Sequence, residues 1–157
     1  MRTLGWALLI LWLSGDALPP LLLAGDPGNR AQYIGGTVAG LPGKSEGNIN
    51  TTDEEVLLFH AKQASVRIPY NKINTLEYGQ RVNRRVVEAV LISPLLLLAK
   101  KRKHFLTVGY TDEQGRQQAL VFQVHKGAVR AVLVSLEAKT GRKVEFQDDE
   151  ARKAGKG

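Results

Sequence analysis

Apolar residues in this chain recur mostly at every second position, in short runs separated by polar turns. In residues 65–70, for example, Val66, Ile68 and Tyr70 fall on one side of the alternation, and a period of two is typical of a half-buried strand. Pro69 marks the end of this strand or an edge position, because proline cannot donate to a ladder of hydrogen bonds. Similar runs predict strands near 32–38, 48–50, 55–60, 65–70, 73–78, 104–110 and 118–125.

Two of these strands are predicted to form a hairpin. Residues 104–110 and 118–125 both alternate, and the connection between them, 111–116, is polar and contains a glycine. In the strand at 73–78, Ile73 would face away from Leu76 unless a bulge intervenes.

The last apolar pattern has a different period. Val129, Val132, Leu133 and Leu136 stand at i, i+3, i+4 and i+7, which predicts an amphipathic helix with one apolar face. Gly141 stands where such a helix would end, because glycine readily adopts the left-handed conformation of a helix C-cap.

Six or seven antiparallel strands followed by one C-terminal helix predict a mainly β fold, either a partly open barrel or a bent antiparallel sandwich that the helix caps. The 157 residues, 43% hydrophobic and 24% charged, are enough for one domain with a core. We assign a signal peptide to 1–25, a spacer to 26–31, the domain to 32–147 and a flexible tail without large apolar residues to 148–157.

The first residues have the pattern of a targeting segment. Arg2 precedes the mostly apolar run 4–13, and Asp16 and the pair Pro19-Pro20 interrupt any extension of that run. Ten residues of helix cover about 15 Å, half of a hydrocarbon core. This length favours a cleaved secretory signal over an uncleaved anchor, and therefore a periplasmic or extracellular protein. Cleavage could follow Ala17, Ala24 or Gly25.

Residues 68–78 read IPYNKINTLEY. This run resembles the strand-turn-strand of bacterial pleckstrin-homology-like domains, in which an Ile-Pro pair, then an isoleucine, then a hydrophobic-Glu pair recurs. It is also similar to GRAM-type relatives of the same fold. The resemblance covers roughly residues 33–146 and implies a barrel capped by the C-terminal helix. Two features depart from the family: Lys44 is the only base between the first two strands, and the insertion at 81–103 exceeds a minimal hairpin connection.

The positive charge of the chain is concentrated in that insertion. Residues 81–103 hold seven of the 22 lysines and arginines and only one acid, Glu88, so the segment carries +6 of the net charge of +7. The rest of the chain has 15 bases and 14 acids and is almost neutral. The seven bases flank an uncharged stretch at 89–99, and they are Arg81, Arg84, Arg85, Lys100, Lys101, Arg102 and Lys103.

The uncharged stretch ends in four consecutive leucines, Leu95, Leu96, Leu97 and Leu98. A half-exposed strand buries only every second side chain, so this run must be covered on both faces or must contact something external. As a helix the stretch would span about 17 Å, too short to cross a bilayer.

Three interpretations of residues 81–103 remain open. The bases could contact anionic lipid, at about 1 kcal/mol each, while the leucines enter the membrane boundary at about 1.5–3 kcal/mol each. Alternatively, residues 86–99 could form an internal strand or helix that closes the barrel, with the bases solvating its two ends. Thirdly, the leucines could bury against another protein of an envelope assembly.

Other function classes have little support. The chain has no cysteine, which excludes disulfides, thiolate metal sites and cysteine nucleophiles. His60, His104 and His125 lack the i, i+4 spacing of a zinc site and are expected at solvent-facing strand ends. Localised bases and 6% aromatic residues do not favour nucleic acid. The sequence therefore predicts an exported, non-catalytic binding or scaffolding module without a cofactor or metal, whose partner is an anionic membrane surface or an envelope protein.

Overall fold

Eight strands and two helices make up the parts of the chain that the computed structural model describes, residues 29–81 and 103–156. The strands are β1 (Arg30–Gly36), β2 (Ser45–Asn50), β3 (Val56–Ala61), β4 (Ser65–Pro69), β5 (Ile73–Gly79), β6 (His104–Thr111), β7 (Gln117–Val124) and β8 (Glu145–Phe146). The helices are α1 (Val129–Thr140) and α2 (Asp149–Lys156), and short 3-10 turns occupy Tyr70–Lys72 and Lys126–Ala128.

All eight strands belong to one sheet, in the order β4-β3-β2-β1-β7-β6-β5-β8. The sheet is open, because among the described strands β4 and β8 each have one neighbour. The predicted mainly β class with a C-terminal helix is therefore confirmed. The expectation of purely antiparallel strands is wrong at one edge, where the two residues of β8 pair in parallel with β5.

The local predictions are confirmed where the hydrophobic period was clear. Gly141 ends α1 with φ of 67° and its amide N–H donates to the carbonyl of Glu137 at 3.0 Å. Ile73 and Leu76 are both buried, because the register of β5 against β6 shifts between Ile73 and Thr75. The bulge left open by the sequence is thus present, and it turns both side chains towards the core.

The sheet curls strongly, and the contact between Phe59 and Phe122 requires that curl. Phe59 lies on β3 and Phe122 on β7, three strand steps apart in the sheet. In a flat sheet three steps cover about 14 Å, yet the two ring centroids are 4.9 Å apart. Glycine permits the curvature at Gly47, where a Cβ would come within 2.3 Å of the carbonyl oxygen of His60.

The concave face of the curled sheet, called here the inner face, holds the core. Tyr33 joins Phe59 and Phe122 at its centre, and the predicted apolar stripe of α1 packs against the same cluster. Val129, Val132, Leu133 and Leu136 are all buried. The opposite face is called the outer face below.

Residues 148–157 differ from the predicted flexible tail, because Asp149–Lys156 form helix α2. The Asp148 carboxylate accepts the amide N–H of Ala151 at 2.6 Å and so caps the helix. Ala151 is fully buried, and a Cβ on Gly155 would come within 2.7 Å of the Phe146 ring. The helix is held by small residues that allow close approach, so a search for large apolar residues could not find it.

Several predicted segments lie outside the described residues. These are the signal peptide 1–25, the spacer up to residue 28, and residues 82–102 of the insertion. The domain itself begins with β1 at Arg30, two residues before the predicted start at position 32. In the described ranges, no helix is long and apolar enough to cross a membrane.

Replacement of Leu136 by alanine tests the buried face of α1. Leu136 is 0% exposed in the core, so we expect Leu136→Ala to lower the free energy of unfolding by about 2–5 kcal/mol. Val134 on the same helix is 57% exposed, and Val134→Ala should change it by less than about 0.5 kcal/mol. Urea denaturation of both variants measures the difference, and equal effects would contradict the assignment of the helix face.

Candidate functional site

The insertion leaves and rejoins the sheet at one corner, which we call the neck and define by Gln80, Arg81 and Lys103. Gly79 at the end of β5 pairs with Phe105 near the start of β6. The amide N–H of Lys103 then donates to the carbonyl oxygen of Gln80 at 3.3 Å. The chain therefore returns to the sheet beside the point where it left. The two groups of bases that flank the uncharged stretch thus begin at neighbouring residues of the neck.

Of the predicted site residues, the structure places Arg81 and Lys103, at the two sides of the neck. Arg81 is exposed and Lys103 is half-buried. The remaining predicted site residues lie outside the described residues, and they are Arg84, Arg85, Leu95, Leu96, Leu97, Leu98, Lys100, Lys101 and Arg102.

Acidic residues lie close to the neck. A cavity of about 210 Å³ is lined by Gln80, Arg81, Gln147, Asp148 and Glu150. The acids belong to the start of α2, where negative charge favours the positive end of a helix dipole. Arg81 thus lines the same cavity as two carboxylates, a proximity that the sequence could not show because 67 positions separate Arg81 from Asp148.

A larger groove, of about 490 Å³, crosses the outer face over β3, β2, β1 and β7. Strand register builds it, since Arg30 pairs with Asn48 and Asn48 pairs with His60. The next row joins Gln123, Gln32 and Glu46 in the same way. Polar alternation on each strand marks these positions as outward-facing, but only the register reveals that they form one surface.

The groove carries charges of both signs. Its lining includes two bases, Arg30 and Lys62, one acid, Glu46, and two histidines, His60 and His125. The histidine rings also have local partners: His60 Nδ1 lies 2.7 Å from the Ser65 hydroxyl, and His125 Nδ1 accepts the amide N–H of Gly127 at 3.4 Å. Within residues 29–81 and 103–156, no group of three or more histidine or acidic side chains could hold a metal ion.

His104 differs from the expected solvent-facing histidine. It lies half-buried on the inner face, where its ring stacks on Tyr78 with a centroid distance of 6.1 Å and its Nδ1 lies 2.5 Å from the Tyr78 hydroxyl. Burial raises the pKa of Tyr78 to about 12. Burial, with the nearby positive charges of Lys126 and His125, lowers the pKa of His104. Both groups are therefore neutral at pH 7, and one hydrogen bond joins the Tyr78 hydroxyl to His104 Nδ1.

The Tyr78–His104 pair closes one end of the core. Phe146 contacts the Tyr78 ring edge-on at 5.9 Å, so the strand β8 and the pair cover the same end of the core. The short side-chain bond lets both polar groups be buried without losing a hydrogen-bond partner. Its role in the structure is to stabilise the corner from which the neck emerges.

The pH dependence of stability tests the state of His104. A histidine whose pKa is lowered by folding binds a proton more readily in the unfolded chain. Its contribution to the free energy of unfolding is therefore fully present above the unfolded pKa of about 6.5 and is lost as the pH falls below that value. We expect the free energy of unfolding to decrease from pH 7 to pH 5, and His104→Gln to reduce that decrease. Urea titrations at each pH measure it.

His60→Gln is the matched control, because it removes an exposed imidazole. If the free energy of unfolding of His104→Gln depended on pH as that of the wild type does, the buried ring would not contribute to that dependence.

Comparison with known proteins gives no family for the chain: no protein-family model matches it, and no curated protein matches it.

Proposed function

We propose that this protein is a non-catalytic binding or scaffolding module of pleckstrin-homology-like type, and that it attaches to anionic membrane surfaces through residues 81–103. The observation that carries the proposal is the neck. The hydrogen bond between Lys103 and Gln80 holds the two ends of a strongly basic insertion together at one corner of the sheet.

Covalent reach limits how far the bases can spread from that corner. A chain spans at most about 3.6 Å per residue, so Arg85 stays within about 14 Å of Arg81, and Lys100 within about 11 Å of Lys103. Covalent reach therefore allows all seven bases to act within about 14 Å of the neck. At about 1 kcal/mol per base near a charged lipid surface, such a cluster is sufficient for reversible attachment.

Two features support the pleckstrin-homology-like part of the proposal. The motif at 68–78 occupies a strand end, a turn and a strand start: Pro69 ends β4, Tyr70–Lys72 form the 3-10 turn, and Ile73 begins β5. Seven antiparallel strands then lead into α1, whose apolar face meets the inner face of the sheet. Both agree with the capped barrel that the resemblance implies.

The proposed place of action is outside the cytoplasm. The support is the pattern of Arg2, the apolar run 4–13 and the small residues that follow. In this proposal the signal peptide is removed, and the module works in the periplasm or at the cell exterior.

A structural role in an envelope assembly is the second candidate, and the mixed charge of the outer-face groove favours it. Arg30 and Lys62 lie in the same groove as Glu46, and a partner protein can complement both signs at fixed positions. A uniformly anionic surface cannot do so.

Binding to vesicles tests membrane attachment. We expect the protein to sediment with vesicles of phosphatidylglycerol and phosphatidylcholine, and to bind more weakly as salt rises, because salt screens exposed charges. The triple variant Lys100→Gln, Lys101→Gln, Arg102→Gln should lose about 3 kcal/mol, which is on the order of a 100-fold weaker partition coefficient.

The matched control removes three bases elsewhere. Arg130, Arg142 and Lys143 are exposed and lie on or just after α1, so Arg130→Gln, Arg142→Gln, Lys143→Gln gives the same net charge. It should bind vesicles much more tightly than the insertion variant. Equal losses would mean that net charge alone attracts the protein, and absence of binding at low salt would exclude membrane attachment.

A further inference from the structure

The outer face carries an apolar patch that is buried outside the core. Phe105, Val121 and Ile34 are 4%, 0% and 6% exposed, yet none belongs to the contiguous core cluster. Phe105 alternates with Leu106 and Val121 with Phe122, whose side chains are in the core. Phe105 and Val121 therefore point away from the inner face.

Strand register makes the patch continuous. Val121 pairs with Gly35 on β1 and with Thr107 on β6. Phe105 lies two residues before Thr107 on the same strand, so its side chain is on the same face. Glycine at position 35 leaves the space beside Val121 without a side chain. The patch consequently extends over the outer face from β1 across β7 to β6.

The outer side of a single sheet is in contact with water unless another segment covers it. The apolar stripe of α1 packs on the inner face, and the Gln147 side chain lies over Gly79 rather than over Val121. Beside the patch, the Gln123 side-chain oxygen is buried and has no hydrogen-bond partner among the described residues. A covering segment has to supply both apolar area and a hydrogen-bond donor here.

We propose that this patch is the docking surface for the uncharged stretch 89–99 of the same chain. The neck lies next to the patch, since Phe105 is two residues from Lys103 and pairs with Gly79. Leu96 is seven residues from Lys103 and can extend about 25 Å from it, whereas the patch begins within about 7 Å of the same residue.

The chemistry of the stretch also matches. Its four consecutive leucines cannot all be buried by one strand face, and the patch offers them apolar area beside the neck. Backbone N–H groups or the Ser93 hydroxyl of the stretch can donate to the Gln123 oxygen. This docking does not depend on membrane attachment, because it concerns the protein alone in solution.

Disulfide trapping in the full chain tests the proposal. Because the chain has no native cysteine, only the introduced thiols can form disulfides. Thr107→Cys places a thiol beside Val121, and Leu96→Cys or Leu97→Cys places one in the stretch. We expect an intrachain disulfide to form at least 10-fold faster in these pairs than when Ser65→Cys replaces Thr107→Cys. Ser65 is exposed on the same face but five strands away, about 24 Å in the plane of the sheet.

Three outcomes would overturn the assignment. Equal trapping at positions 107 and 65 would mean that the stretch has no preferred site. Disulfides between two chains would make a second copy the occupant of the patch. Faster trapping of Thr107→Cys with Leu9→Cys than with Leu96→Cys would assign the patch to the apolar run 4–13.

A stability measurement provides a second readout that needs no new thiols. If the leucines are docked, Leu96→Ser with Leu97→Ser should lower the melting temperature by about 5 °C or more, while Val134→Ser, at a side chain that is 57% exposed, should leave it nearly unchanged. An unchanged melting temperature in the leucine variant would contradict docking.

Discussion

The close contact of Phe59 with Phe122 is the constraint on which the rest of the structure depends. Two rings from strands three steps apart meet at 4.9 Å, and they can meet only if the sheet curls. That curl creates a concave side for the core and the apolar face of α1, and a convex side that is left for other contacts. The positions of the groove, the neck and the outer patch all follow from the division into two faces.

The two faces use the same strands for different purposes. On β7, Leu120 and Phe122 build the core while Val121 and Gln123 face outward. Period-two alternation normally makes the outward residues polar, and Gln123 conforms while Val121 does not. An apolar residue at an outward position, fully buried and next to the exit of a leucine-rich insertion, is therefore informative about that insertion. The membrane and docking proposals describe two environments for the same leucines. In these proposals the membrane and the patch compete for the leucines, and the environment with the lower free energy binds them.

Much of the fold could be predicted from the sequence because alternation and the helical period are local signals. The end of α1 was predicted from Gly141, whereas the mismatch of Ile73 and Leu76 left a bulge in β5 as one of two alternatives. Features that depend on non-local register could not be found in this way. The groove joins Arg30 to His60 across three strands, and His104 is half-buried because its strand position places it beside Tyr78. Helix α2 was missed because its buried residues are alanine and glycine, which a hydrophobic pattern does not distinguish from those of a solvated tail.

The open ends of the sheet have a consequence for how this protein exists among its copies. An exposed strand edge offers unpaired N–H and C=O groups to which another chain can add. Here one edge strand, β8, is two residues long, and the other, β4, ends in Pro69 and carries the exposed base Arg67. Proline removes a donor and a lysine or arginine on an edge opposes the approach of a second basic edge. At the two edges that the described strands form, the architecture thus discourages growth of the sheet by strand addition, and it leaves the faces of the sheet as surfaces for association.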